Sequence, residues 1–225
     1  MTLIPEDQKA YYIFHTLHKA FPDAHCELEF STPFELLIAT ILSAQCTDER
    51  VNLVTAALFP KANTPEAILS LGQEELENKI RSLGLFHNKA KNIIEACSVM
   101  VEEFAGQLPQ DFNLLQKLPG VGRKTANVLL GNAFGIPTLA VDTHVFRVAH
   151  RLGIAKGKTP EKVEEELKQL FPRENWILLH HLLIFQGRRI CIARKPKCDD
   201  CSLLNICEFY ETNRYAKLSD NERTD

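Results

Sequence analysis

The chain has 225 residues, of which 45% are hydrophobic and 24% are charged, and its formal net charge at pH 7 is −3. Such a chain is long enough and apolar enough to bury a core, as one large or two small globular domains. No apolar run reaches membrane-spanning length, and the first ten residues carry neither a secretory signal nor an Arg-rich transit pattern. These features argue against a membrane or secreted protein and predict a cytoplasmic or nucleoid location.

Helical patterns follow one another along nearly the whole chain. Capping residues followed by proline or acidic residues mark the helix starts, and apolar residues spaced three and four apart mark the buried faces. Because no run shows the alternation of a strand, the chain is predicted to be all-α. The predicted helices begin at Pro5, Thr32–Pro33 with a capping box to Glu35, Thr47, Thr64, Gln73, Asn88, Asp111, Gly122, Asp142, Thr159 and about Glu174.

The connection at residues 82–87 contains Leu83, Leu85 and Phe86, which is unusual for a solvated loop. Leu85 and Phe86 either pack inward or are presented to a partner, and the pattern alone leaves both interpretations open.

Residues 114–153 carry the strongest signal for chemistry. The cluster Leu118-Pro119-Gly120-Val121-Gly122 is a tight turn between two helical patterns and predicts a helical hairpin. If Gly120 and Gly122 adopt positive φ, successive N–H groups converge into a nest for an anion, most often a phosphate. An ordinary helix-helix turn is the alternative.

The residues after this turn favour the anion site. Arg123 and Lys124 lie in the first turn of the second helix, where the helix dipole disfavours cations by about 0.3–1 kcal/mol. A phosphate partner would explain Arg123. Partial burial at this position would favour the neutral amine of Lys124, which makes this lysine a candidate nucleophile.

Asp142 follows an apolar run and precedes a new helical pattern. It is therefore a good N-cap for that helix. Beside Lys124, its carboxylate could also accept the proton of the amine or stabilise positive charge on a sugar ring. Both interpretations stay open at this point.

The basic residues are segregated along the chain. Residues 114–158 hold seven basic residues and one acid, and residues 187–198 hold five basic residues and no acid. Two basic stretches on an otherwise acidic chain predict a face that binds nucleic-acid phosphates, whereas scattered solvated lysines are the simpler alternative.

Four of the seven cysteines lie within seventeen residues, at Cys191, Cys198, Cys201 and Cys207. Disulfides are not expected without a secretory signal. One C-x2-C pair flanked by two single cysteines favours a [4Fe-4S] cluster over structural zinc. Such a centre would hold the basic loop containing Arg194 in place, although electron transfer is a competing role. Cys26, Cys46 and Cys97 are isolated and are interpreted as core or incidental residues.

The hairpin LPGVGRKTA, the acid in VDTHVFRV and the cysteine pattern in RRICIARKPKCDDCSLLNIC together resemble the endonuclease III family. Its members are DNA glycosylases and AP lyases of the helix-hairpin-helix superfamily. The resemblance runs from Ser31 through Cys207. Cys46 stands where members of the family often carry alanine.

The resemblance implies a contiguous six-helix domain at 26–136, with the hairpin at about 111–133. It also implies a discontinuous [4Fe-4S] domain at 1–25 and 137–225 with the cluster loop at 191–207, and a DNA-binding cleft between the two. By resemblance Lys124 is the catalytic lysine and Asp142 the catalytic acid, and the four clustered cysteines are the iron ligands. Gln45 and Leu85 match positions that fill the gap left by an extruded nucleotide. The predicted DNA contacts are Gln45, Leu85, Gly120, Gly122, Arg123, His144 and Arg147.

The implied substrate is double-stranded DNA with a damaged pyrimidine or an abasic site, bound by a monomer. Base removal through a Lys124 imine would be followed by β-elimination on the 3′ side. An adenine-mismatch glycosylase, which generally lacks the hairpin lysine, and an oxoguanine glycosylase-lyase, which usually lacks the cluster, are less compatible with the motifs. A non-catalytic helix-hairpin-helix module and an iron-sulfur electron carrier are the alternatives from other classes.

Overall fold

The computed structural model describes residues 6–213, and within that range every regular element is helical. The prediction of an all-α chain is therefore confirmed. Pro5 and the chain after residue 213 lie outside the described residues. The helices are α1 (Glu6–Ala20), α2 (Pro33–Leu42), α3 (Asp48–Leu58), α4 (Pro65–Ile80), α5 (Phe86–Phe104), α6 (Phe112–Leu115), α7 (Arg123–Phe134), α8 (Thr143–Leu152), α9 (Pro160–Leu170) and α10 (Trp176–Arg189), with short 3-10 helices at Arg173–Asn175, Cys198–Asp200 and Leu204–Ile206.

Side-chain caps begin six of these helices, because an oxygen one residue before the helix accepts a backbone N–H of the first turn. At α2, for example, Thr32 Oγ1 accepts from the N–H of Glu35 at 3.1 Å. The carboxylate of Glu35 reaches back to the N–H of Ser31, one residue before the position expected for a capping box. The capping residues are Thr32, Thr47, Thr64, Asp111, Asp142 and Thr159.

Gly72 interrupts α4 with φ +72°, so the segment consists of two short helices that meet at a kink. This confirms the two helix starts predicted at Thr64 and Gln73. The long helix α5 begins at Phe86, two residues before the predicted start at Asn88.

The contacts divide the chain after His25 and after Thr138. The contiguous unit, Cys26–Thr138, contains α2 to α7. Its core is built around α2, of which every residue from Phe34 to Leu42 is buried, and α2 packs against α3, α5 and α7. That this unit is a separate functional domain stays a prediction.

The split unit consists of the chain before Cys26 and after Thr138, of which residues 6–25 and 139–213 are described. Its core forms where α10 packs against α1 and α8. Among the described helices none has the length and apolar character needed to cross a membrane.

Candidate functional site

The turn before α7 is anchored by two buried side chains, Leu118 and Val121, and is closed by a hydrogen bond from the N–H of Val121 to the carbonyl of Leu118 at 3.0 Å. Gly120 has φ +81°, and a Cβ added there would lie 3.1 Å from Asn92 Cβ. Both the backbone conformation and the available space therefore require glycine at this position.

Gly122 differs from Gly120, because it does not adopt the positive φ that a nest formed by both glycines would need. Its backbone is extended, with φ −90° and ψ −178°, which any residue can adopt. A Cβ added there would meet no atom of the described residues within 4 Å. Nothing within residues 6–213 requires glycine at this position, but its absent side chain leaves the approach to the start of α7 open.

The start of α7 has no side-chain cap, because its N-cap residue is Gly122. The N–H groups of the first turn therefore point away from the helix without an acceptor from a capping side chain. Arg123 and Lys124 add two cations to the positive end of the helix dipole. An anion bound here would both accept the N–H groups and neutralise the cations.

The two cations of α7 have different surroundings. Arg123 is half-buried, and its guanidinium lies 5.2 Å from the ring centroid of Phe112 on α6. Lys124 is exposed, so the partial burial expected for this lysine is not supplied by the protein itself. Burial raises the pKa of the nearby Cys26 thiol, and the positive charge of Lys124 acts in the opposite direction.

Gln45 and Leu85 share a left-handed backbone conformation, with φ +56° and +59°. Both side chains are exposed, and Leu85 retains 54% of its accessible surface. Residues other than glycine pay about 1–3 kcal/mol for such a conformation, and this strain concentrates at functional sites. Of the two interpretations of the apolar loop, the structure excludes inward packing for Leu85, whereas Phe86 is half-buried.

Lys89 connects these two loops. Its backbone N–H donates to the carbonyl of Leu85 at 3.1 Å, and its side chain Nζ donates to Cys46 Sγ at 3.3 Å. The contact places the turn that carries Gln45 next to the first turn of α5.

In the split unit, Asp142 caps α8 as predicted. Its Oδ1 accepts the N–H groups of His144 and Val145, both at 2.8 Å. Within residues 6–213 no hydrogen bond involves Oδ2, so this oxygen can act on a substrate while Oδ1 holds the carboxylate in a fixed orientation.

His144 and Arg147 contact each other on α8. Arg147 Nη2 lies 3.1 Å from His144 Nδ1, and because a guanidinium can only donate, the two form a hydrogen bond in the tautomer whose neutral ring carries its proton on Nε2. Burial lowers the pKa of His144, so the neutral ring is favoured.

The guanidinium of Arg147 donates hydrogen bonds to backbone carbonyls of the split unit. Nη2 donates to the carbonyl of Gly187 at 2.9 Å, and Nε donates to the carbonyl of Cys191 at 3.1 Å. A Cβ on Gly187 would come within 3.2 Å of this guanidinium. Because the guanidinium already donates to these two carbonyls, the contacts argue against Arg147 as a DNA-binding residue. Its role is structural, since it connects α8 to the end of α10.

The four clustered cysteines line one cavity between α8, α10 and the C-terminal loop, with about 370 Å³ of empty space including its mouth. All four are free thiols. Within the described chain no three His, Cys, Asp or Glu side chains are arranged around a single-ion position. A [4Fe-4S] cluster has a different requirement, because each thiolate binds its own iron around a wider volume. The donor set and the shared cavity fit such a cluster.

Two long side chains donate to sulfur atoms of the cysteine motif. Arg151 Nη1 lies 3.4 Å from Cys191 Sγ, and its guanidinium also donates to the carbonyls of Ile192 and Ala193 at 2.8 and 3.0 Å. The buried Gln186 donates from Nε2 to Cys201 Sγ at 3.2 Å. Arg151 therefore fixes the first loop of the cysteine motif, where exposed Arg194, Lys195 and Lys197 lie.

The comparisons with known proteins agree with this architecture. The HhH-GPD superfamily of base excision DNA repair proteins matches residues 38–173. Endonuclease III of Rickettsia conorii is 53% identical over 198 residues, which are 88% of this chain and 94% of the relative. The chain belongs to the endonuclease III family. As a member of this family it is a base excision repair enzyme, a DNA glycosylase with AP lyase activity.

Two solved structures of endonuclease III are also similar to this chain. One is a non-covalent endonuclease III-DNA complex, and the other is a trapped endonuclease III-DNA covalent intermediate. Each has a TM-score of 0.89 and 47% identity, and the match covers 94% of this chain and 100% of the other. The iron-sulfur binding domain of endonuclease III matches residues 191–207. The cofactor of this endonuclease III relative is thus a [4Fe-4S] cluster, as the cysteine spacing predicts.

Sequence reasoning missed Arg151, Gln186 and Lys89 as members of the sites. Arg151 was only one of the basic residues that favoured DNA binding, and Gln186 and Lys89 lie in ordinary helical patterns. Their partners are 15 to 43 residues away along the chain. No local signal could have identified them.

Proposed function

We propose that this endonuclease III relative removes oxidised pyrimidines from double-stranded DNA and then cleaves the strand on the 3′ side of the abasic site, acting as a monomer at the nucleoid. The observation that carries this proposal is the start of α7, which has no side-chain cap, is open in front of Gly122, and presents an exposed lysine in its first turn.

The start of α7 would grip a DNA phosphate. Gly120 shapes the turn, Gly122 lets the phosphate approach the backbone, and the N–H groups of the first turn donate to its oxygens. Arg123 contributes positive charge while its stem packs on Phe112. This arrangement contacts the backbone and not the bases, so it positions the duplex without reading sequence.

Gln45 and Leu85 would fill the space left by an extruded nucleotide. Extrusion costs a few kcal/mol, and a poorly stacked lesion reduces that cost. An apolar and an amide side chain, held outward by two left-handed residues, can replace the lost stacking and base pairing.

Lys124 would act as the nucleophile. Its neutral amine attacks C1′, and the damaged base leaves with the electron pair of the glycosidic bond. The C1′–O4′ bond of the sugar then opens and O4′ takes up a proton lost from the amine, which produces an imine that acidifies the C2′ proton. Removal of that proton breaks the C3′–O bond, and water then hydrolyses the imine to release Lys124. Because Lys124 is exposed in the free protein, bound DNA has to supply its desolvation.

Asp142 would accept the proton of the lysine amine and stabilise the positive charge that develops on the sugar. His144, with its neutral ring and a protonated Nε2, would donate to the DNA backbone. Arg147 would position α8 through its two carbonyl contacts and would not touch DNA.

Cys191, Cys198, Cys201 and Cys207 would hold the [4Fe-4S] cluster, which when bound supplies a rigid cross-link of the C-terminal loop. Arg151 and Gln186 orient the sulfur ligands, and the basic side chains of the loop then face phosphates from a fixed position.

The test is borohydride trapping on a duplex with an abasic site. Lys124→Ala is expected to abolish the trapped complex while keeping measurable DNA binding. Lys91→Ala is the matched control, because Lys91 is an exposed lysine of the same unit that pairs only weakly with Glu95 at 3.9 Å. Trapping that persists in Lys124→Ala would show that another amine forms the imine.

A further inference from the structure

Lys89 is a lysine in the first turn of α5 that keeps only 3% of its accessible surface. Its Nζ donates to Cys46 Sγ at 3.3 Å. Among residues 6–213 this sulfur is the only hydrogen-bond acceptor of the amine.

The contact brings two chemically complementary groups together. The sulfur of a cysteine becomes an electrophile once a peroxide has oxidised it, and the amine of a lysine is a nucleophile that can attack such a sulfur.

The other two cysteines of the contiguous unit have different surroundings. Cys97 is completely buried, and burial raises the pKa of its thiol to about 12. Cys26 receives no hydrogen bond from an amine in the described chain. Cys46 is half-exposed, so a small oxidant can reach it while Lys89 stays buried behind it.

We propose that Cys46 and Lys89 form a peroxide-reactive pair that closes a reversible sulfur-nitrogen cross-link. In the first step the sulfur attacks the O–O bond of a peroxide such as hydrogen peroxide, so that Cys46 is oxidised to the sulfenic acid and the peroxide is reduced to water. In the second step Lys89 Nζ attacks the sulfur and expels the sulfenic oxygen as water, which forms a sulfenamide. The protein loses two hydrogen atoms, one from the thiol and one from the amine.

The cross-link would act on the loops that present Gln45 and Leu85. Cys46 directly follows Gln45, and the N–H of Lys89 is bonded to the carbonyl of Leu85. A covalent bond shortens the 3.3 Å contact and draws the turn at Gln45 toward the start of α5. This consequence rests on the proposed role of both residues in filling the gap. A displacement near 1 Å can reduce a catalysed rate by about a hundredfold, so oxidation is expected to slow lesion excision by about tenfold to a hundredfold.

Mass spectrometry tests the cross-link without reference to activity. The protein with its cluster is treated with hydrogen peroxide, free thiols are alkylated, and the protein is digested with trypsin. The expected product joins the peptides of Cys46 and Lys89, lacks two hydrogen atoms, is uncleaved after Lys89 and disappears on treatment with a thiol. Cys46→Ala and Lys89→Arg should not form it, whereas Cys26→Ala should. Recovery of Cys46 as a free thiol, a disulfide or a sulfinic acid, with Lys89 unmodified, would overturn the proposal.

Excision of thymine glycol from a duplex tests the consequence. Peroxide should slow the unmodified protein, a thiol should restore it, and Cys46→Ala should keep its rate through the same treatment. Peroxide damage to the cluster would slow Cys46→Ala as much as the unmodified protein. That result would contradict control of excision through Cys46 and Lys89. An untreated protein without excision would instead refute the proposed function, whatever the mass spectrum shows.

Discussion

Alanine substitutions at Gly120 and Gly122 are expected to have different main effects. Gly120→Ala should lower stability more than Gly122→Ala does, and Gly122→Ala should weaken DNA binding more. Gly120→Ala places a side chain at φ +81°, which costs about 1–2 kcal/mol for an L-residue, and its Cβ lies 3.1 Å from Asn92 Cβ. For a protein of this size a loss of 1–2 kcal/mol corresponds to a decrease in Tm of about 2–8 °C.

Gly122→Ala should leave the fold nearly unchanged. The backbone at φ −90° and ψ −178° accepts alanine, and in the described part of the chain no atom lies within 4 Å of the new Cβ. The lower entropy of the unfolded chain adds about 0.4–1 kcal/mol of stability, and the poorer N-cap removes a similar amount. The net change is expected within about 0.5 kcal/mol.

The new methyl group of Gly122→Ala would occupy the space in front of the α7 N–H groups. Loss of one hydrogen bond to a charged phosphate costs about 1.5–3 kcal/mol, which corresponds to a roughly tenfold to hundredfold weaker Kd. Thermal unfolding and fluorescence anisotropy with an abasic-analogue duplex measure the two quantities at one fixed salt concentration. If Gly122→Ala binds this duplex as tightly as the unmodified protein, the phosphate does not approach the backbone at this turn.

Asp142→Asn should slow base release by about 10²–10⁴-fold with little change in Tm, because asparagine also caps helices well; unchanged release in a single-turnover assay would leave Asp142 only its capping role. Leu85→Gly should change Tm little, since the relief of about 1–2 kcal/mol of left-handed strain is offset by the higher entropy of the unfolded chain and by the lost burial of part of the side chain, yet it should slow excision of a duplex lesion; excision at the original rate would exclude Leu85 as a gap-filling residue. Burial lowers the pKa of His181 to about 3, below its ordinary value of 6.5. The unfolded chain therefore protonates this histidine at a higher pH than the folded protein does, and the free energy of unfolding falls as pH drops below about 6.5. Denaturant unfolding at pH 7.5 and about pH 5 should show a loss of roughly 2 kcal/mol that is smaller in His181→Gln, and equal losses in both proteins would contradict burial of a neutral imidazole.

The helix starts could be predicted because their signals are local. Thr32, Thr47, Asp111 and Asp142 each accept an N–H two or three residues ahead, and Gly72 breaks α4 through its own φ. A capping oxygen and its partner are adjacent in the sequence, so the pattern of residue types contains the interaction. The backbone conformation of Gly122 could not be predicted, since a GxG pattern does not distinguish a left-handed glycine from one that only keeps space open.

Charge patterns were less informative about the sites. The basic stretch at 114–158 predicts a phosphate-binding face, but Arg147 and Arg151 donate to backbone carbonyls of the cysteine region. Lys124 was expected to be partly buried and is exposed. Whether a cation faces solvent or a carbonyl depends on which elements pack beside it, and residue type does not contain that information.

By itself the sequence determined an all-helical chain, the positions of the caps and of the turn at Gly120, and four cysteines suited to an iron-sulfur cluster, because each of these depends on residues close together in the chain. Only the tertiary structure decided that Arg147 binds the carbonyl of Cys191, 44 residues away, and that Lys89 binds Cys46, 43 residues away. It also decided which loops hold Gln45 and Leu85 outward in strained conformations. Contacts over such distances form only when helices pack and bury their apolar faces, and that packing determines which polar groups meet.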